Sequence, residues 1–321
     1  MSAQLFRASP VRVLGHYFNV CHKIGRKELN KILEIQSKLG IPQTGILDEF
    51  TQSAWKNYCL RNNLEYIPLE SDKSEPEHDP KLGFISTDLQ EQPKIKSSPL
   101  QTGQFLTTKE KKEWIFLHCT AGWDNPYSVI KDWNGDSRGQ VGTQFVIGGK
   151  HAQTLNDQYD GEIVECMRYQ DYGWHIGIGN TLMHRASIGI EICNLTYLNK
   201  VKNDFFMWAN KRVNPNEIVD LKQNYRGYRY FHRMTNEQLH SLNFLLAKIS
   251  KEQDIDITKG LKERLKKMDK FKVFDYDPDI KAGKYKGLFC HTNVSGPNKW
   301  GGYEKWDLFP QDEVCDLILS L

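Results

Sequence analysis

The sequence predicts an α/β (α+β) protein, with a mixed central sheet flanked by helices and a small all-α unit in front of it. Three observations carry this. From Glu113 onward, short apolar runs alternate with helix-like segments. TNEQLHSLNFLLAKISKEQ has both the cap and the period of a long helix. Residues 26–60 repeat their apolar side chains at helical spacing, apart from everything that follows.

In LNKILEIQSKLG, Leu29, Ile32, Leu33 and Leu39 share a helical stripe, and Gly40 is a natural stop. After the IPQTG turn, Asp48 can cap a second helix carrying Phe50, Ala54, Trp55 and Tyr58. This unit is assigned to residues 1–67. From Pro68 to about Thr108 the prolines at 76, 80, 93 and 99 interrupt any period, so 68–108 reads as a linker or a segment lying over the next domain.

Residues 109–321 form the larger domain. WIFLH reads as a buried strand and NPYSVIKDWNG as a short helix. QFVIGG and EIVECMRY read as two strands, and SIGIEICN as another. Thr235 and Gln238 fit a capping box, with Leu239, Leu242, Leu246 and Ile249 as the buried stripe of the long helix. GLFCH is a short strand that ends, like WIFLH, on a histidine.

Composition narrows the function classes. A net charge of +3 is too small to argue for nucleic acid. No apolar run approaches the roughly 18 residues that span a bilayer, so no membrane insertion is expected. The seven cysteines (21, 59, 119, 166, 193, 290 and 315) are odd in number and scattered, without CxxC, and read as reduced thiols. The N-terminus lacks a signal peptide's apolar core, which predicts synthesis in the cytoplasm.

A single histidine after an apolar run is more often a hydrogen-bonded structural residue than a ligand. Here it happens twice, at His118 and His291, and EKWDLFP supplies Asp307 beyond a loop. Two imidazoles and a carboxylate with an open fourth position suit catalytic Zn²⁺. In SIGIEICN, alternation puts Ile188, Ile190 and Ile192 on one face and Ser187, Gly189, Glu191 and Cys193 on the other. A glutamate inside so apolar a strand is costly to bury unless it is paired or working. The bland alternative for it is a salt bridge.

FLHCTAG, GWHIG, SIGIEICN and CHTNVSG followed by KWDLFP resemble, in order, four motifs of the zinc-dependent type 2 N-acetylmuramoyl-L-alanine amidases. That family includes phage lysozyme-like amidases and shares its fold with peptidoglycan recognition proteins. The resemblance implies the zinc amidase fold, a peptidoglycan or muropeptide substrate, and cleavage of the amide between N-acetylmuramic acid and L-alanine. It makes His118, His291 and Asp307 the zinc ligands and Glu191 the carboxylate that activates water. Lys305 matches the cation near the scissile carbonyl, and His175 a histidine lining the cleft. ILEIQSKLGIPQTGILDEFTQSAW likewise resembles the peptidoglycan-binding repeat that accompanies many wall hydrolases.

The chain departs from the family in three places. GPNKWGGYE lengthens the loop between His291 and Lys305, the proline after the aspartate is displaced to Pro310, and Tyr197–Arg233 looks like an insertion. The expected protein is a monomeric phage endolysin that reaches the wall without a signal peptide. The competing expectations are a non-catalytic wall-binding protein, which would lack a ligand, and a thiol amidase using Cys119 or Cys290. Strand neighbours point to opposite faces, which disfavours a dyad between Cys119 and His118.

Overall fold

The computed structural model describes residues 92–299 and 301–321. The helical unit expected over 1–67 lies outside the described residues. Strands β1 (Ile95–Ser97) and β2 (Leu106–Thr107) lead into β3 (Trp114–Cys119), α1 (Pro126–Asn134), β4 (Phe145–Ile147), β5 (Ile163–Glu165), β6 (Asp171–Tyr172), α2 (Thr181–Arg185) and β7 (Ser187–Ile192). The expected insertion holds β8 (Tyr197–Val201), β9 (Asp204–Phe206), β10 (Arg212–Val213), β11 (Ile218–Tyr225) and β12 (Tyr228–His232). After it come α3 (Asn236–Gln253), α4 (Leu261–Leu265), α5 (Lys270–Val273), α6 (Pro278–Lys281), β13 (Gly287–Cys290), α7 (His291–Val294) and α8 (Asp312–Ser320).

The central sheet has the order β1-β5-β4-β7-β3-β13. β4, β7, β3 and β13 run parallel, and β5 is antiparallel to β4. Parallel strands covered on both faces read as continuous apolar runs, which is why WIFLHC shows no polar alternation. Ile115, Leu117 and Cys119 point into one core with Ile188, Ile190 and Ile192, under the α3 stripe of Leu239, Leu242, Leu246 and Ile249. Trp114 and Phe116 face the other side, with Ile176 and Phe289. His118 continues that second face by strand alternation. Thr235 caps α3 through a capping box with Gln238, as its sequence predicts.

Two expectations shift. Residues 95–107 belong to the stretch expected as a linker or as a segment over the next domain, and they follow the second course: β1 pairs with β5, β2 pairs with β6, and Leu100 is buried against Ile130 and Val146. Their prolines fall outside the paired residues, so composition hid the strands. The GLFCH strand stops at Cys290, and His291 opens α7 instead. There the Asn293 side chain accepts the Cys290 backbone N–H and turns the chain into a helix.

The 197–232 segment forms its own antiparallel sheet, ordered β10-β9-β8-β12-β11. Its inner side closes a small core of Ala152, Leu195, Leu198, Met207 and Val213.

Candidate metal centre

The C-terminal ends of β3, β7 and β13 place the candidate residues. Parallel pairing sets His118 opposite Glu191 on adjacent strands, and Cys290, the last residue of β13, opposite Leu117. His291 therefore emerges beside His118. Asp307 comes from the stretch after Lys305, outside any helix or strand. Ligand atoms of His118, His291 and Asp307 all lie within 4.8 Å of one another, and all three residues are buried. Asp307 Oδ1 lies 3.7 Å from His118 Nδ1 and 3.5 Å from His291 Nδ1, and it accepts the Cys119 backbone N–H at 3.2 Å.

The hydrogen-bond network sets the tautomers. His291 Nε2 faces the Ile176 carbonyl at 3.1 Å, which can only accept, so a neutral His291 keeps a lone pair on Nδ1. On the other side, the Ser187 hydroxyl donates to the His184 carbonyl at 3.3 Å and accepts from His175 Nε2 at 2.8 Å. His175 Nδ1 must then accept from His118 Nε2, 2.9 Å away. This bares His118 Nδ1, which lies 3.1 Å from His291 Nδ1. Two imidazole lone pairs and a carboxylate oxygen thus converge with no proton between them. That donor set fits Zn²⁺, which takes nitrogen and carboxylate ligands and in catalytic sites keeps one position open.

The electrostatics point the same way. Burial pushes the His118 pKa down to about 4, with His291 and Lys305 adding to the fall and Asp307 opposing it. Burial, then His118, hold His175 well below its ordinary value. Burial opposes ionisation of Asp307, yet His291 and His118 hold its carboxyl well below the usual range. A neutral His118 beside an ionised Asp307 is what a metal ligand set requires. Glu191 is pushed up to about 8 by burial and by Asp307, with Lys305 pulling the other way. Its carboxylate has no salt bridge among the described residues, so the bland alternative for it is not met.

The structure brings His118, His291, Asp307 and Glu191 together, and Lys305 lies within electrostatic reach with an exposed side chain. His175, expected to line the cleft, is only 8% exposed and sits behind His118 with both ring nitrogens engaged. It packs edge-on against Phe116. Sequence reasoning did not anticipate Ser187 as the end of this relay or the Cys119 N–H on Asp307. The thiols fall away from the site chemistry: Cys119 and Cys290 lie in the core beneath the sheet. Burial raises Cys119 well above its ordinary value and Cys290 to about 12. Among the described residues, Cys119, Cys166, Cys193, Cys290 and Cys315 are all free and buried.

Among curated proteins, none matches the chain. Solved structures that are similar include a mutant endolysin from Bacillus subtilis, at 17% identity over 52% of this chain and 80% of that one, with a TM-score of 0.32. The E. coli N-acetylmuramyl-L-alanine amidase AmiD, in complex with an anhydro-N-acetylmuramic acid peptide, is 19% identical over 46% of each chain, with a TM-score of 0.29. The Staphylococcus aureus hydrolase AmiA is 14% identical over 82% of this chain and 87% of its own, with a TM-score of 0.35. The sequence profile described as N-acetylmuramoyl-L-alanine amidase matches residues 108–269, about half of the chain. That range takes in His118, His175 and Glu191, while His291, Lys305 and Asp307 lie beyond it. By this match the chain belongs to the N-acetylmuramoyl-L-alanine amidase family, and it is an enzyme of that kind.

Proposed function

We propose that the protein is a zinc-dependent peptidoglycan hydrolase that cleaves the amide between the lactyl group of N-acetylmuramic acid and L-alanine. The observation that carries this is the convergence of two bare Nδ1 lone pairs and the Asp307 carboxylate at one point. His118, His291 and Asp307 are the ligands in this reading. Zinc, when bound, supplies Lewis acidity that polarises the scissile carbonyl and activates water near neutral pH.

The chain's own groups do the rest. Glu191 takes the proton of the attacking water and returns it to the departing L-alanine amine, and a base whose pKa lies near the working pH suits both steps. Lys305 brings a cation to the oxygen that becomes negative as the carbonyl is attacked. His175 and Ser187 hold the His118 ring so that Nδ1 faces the site. A non-catalytic wall-binding protein is disfavoured because no ligand position is lost.

In the same reading, residues 1–67 tether the enzyme to the wall, 68–108 join them to the larger domain, and the protein acts as a phage endolysin. Digestion of purified peptidoglycan with mass analysis of the new ends tests the reaction. Lactyl-terminated glycan with free L-alanine amino termini is the expected outcome. New reducing sugar ends, or cleavage further along the peptide, would overturn the assigned bond.

A further inference from the structure

The insertion contributes nothing to the site as described so far, although its β11–β12 hairpin reaches both the His291 helix and the Asp307 loop. The hairpin turns at Arg226 and Gly227, with φ of +50° and +92°, the signs of a type I′ turn. Glycine adopts such angles freely, but arginine rarely does. A left-handed residue of this kind persists where its surroundings over-determine it.

Those surroundings are explicit. The Arg226 guanidinium is fully buried and donates from Nε to Asp275 Oδ1 at 3.0 Å. Nη1 donates to the Lys305 carbonyl at 2.8 Å. Nη2 donates to the carbonyls of Thr292 and Ser295, each at 2.8 Å. Thr292 directly follows His291, and Lys305 stands two residues before Asp307. The Arg226 carbonyl in turn accepts from Trp306 Nε1 at 2.8 Å. The Trp306 ring packs against Tyr197 and Tyr228, at centroid distances of 4.7 and 5.6 Å.

We infer that Arg226 is a positioning residue that locks the His291 turn and the Asp307 loop into one metal-binding arrangement. The inference rests on the zinc reading above. Asp307 has neither a strand nor a helix beneath it, and the loop before it is long, so its backbone alone does not fix its distance from His291. A planar guanidinium with five donors in fixed directions can hold carbonyls from both segments at once, which a lysine ammonium cannot reproduce. The insertion and the lengthened loop are then two halves of one device.

The test measures zinc dissociation constants by chelator competition on the full-length chain, for wild type, Arg226→Ala and Arg226→Lys. Both variants are expected to bind zinc about 10- to 100-fold more weakly, the usual effect of losing an outer partner of a metal ligand. N-ethylguanidinium should return the Arg226→Ala affinity toward wild type, whereas ethylammonium should not. If Arg226→Ala does not fold, Arg226→Lys, which keeps a cation in place, carries the measurement. A folded Arg226→Lys that binds zinc as tightly as wild type would overturn the inference, even with a lowered melting temperature. A wild-type chain that binds no zinc would sink the metal reading itself, and the positioning role with it.

Discussion

His118 and Glu191 are fixed differently from His291 and Asp307. The first pair sits on β3 and β7, opposite each other in a parallel ladder, so backbone hydrogen bonds and the strand period fix both position and direction. His291 opens a short helix, and Asp307 lies in a loop whose path is set by side chains from another sheet. The sheet wall is held by a regular backbone ladder, whereas the loop side depends on individual side-chain contacts with the β11–β12 turn. The contrast teaches where the site is stiff and where it can be loosened without unfolding the domain.

The largest effect is expected from breaking both sides at once. Chelation should abolish activity, and added zinc should restore it. His118→Ala on the sheet wall and Asp307→Ala on the loop side should each lower zinc occupancy sharply, read by metal analysis of purified protein. Full activity in a metal-free preparation would rule the mechanism out. An Asp307→Ala protein with normal zinc affinity would place the third ligand elsewhere.

Glu191→Gln probes the wall without touching the ligands. The amide keeps the carboxylate's size but cannot accept the water's proton, so zinc content and folding should survive. Turnover should fall about 10²- to 10⁴-fold, the usual contribution of a placed acid–base group. Near-normal turnover would remove Glu191 from the chemistry.

Lys305→Ala is the loop-side counterpart. Zinc should stay, and kcat should fall by about 10², as when one oxyanion donor is lost. Its carbonyl, not its side chain, accepts from Arg226, so the clamp should be intact. Loss of zinc in this variant would mean that the two functions of the segment cannot be separated.

The difference in how the two sides are held also explains what could be read from the sequence. The Ile188, Ile190, Ile192 alternation set Glu191 on the site face, and the α3 capping box placed the long helix. These depend on residues within one element. The His175 relay does not: its ring is engaged by Ser187 and His118 because β7 lies beside β3, a fact that no local spacing around GWHIG contains. Arg226 was missed for a related reason. A two-residue turn before YRYFH is a fair hairpin signal, but what an arginine at its tip touches depends on how the insertion packs. β1 and β2 escaped because short edge strands in a proline-rich stretch carry almost no apolar pattern.

The smallest effect expected comes from one methyl group on the wall. A Cβ at Gly189 would lie 2.6 Å from Thr143 Cγ2, 2.8 Å from Thr143 Cβ and 3.0 Å from His175 Nδ1. Thr143 is buried and its hydroxyl is tied to the Phe145 carbonyl at 3.0 Å, so it has little room to retreat. His175 Nδ1 is the atom that accepts from His118 Nε2. Gly189→Ala should therefore destabilise the domain by about 1–3 kcal/mol, the usual cost of overpacking a filled core. The strain should also pass through His175 and weaken zinc binding. Gly179→Ala is the control, because nothing lies within 4 Å of its new methyl. A change there should stay within about 0.5 kcal/mol. Denaturant midpoints of the metal-free proteins, read beside their zinc affinities, make the comparison. If Gly189→Ala loses stability while zinc binds as before, the wall is stiff, but its stiffness does not reach His118 through His175.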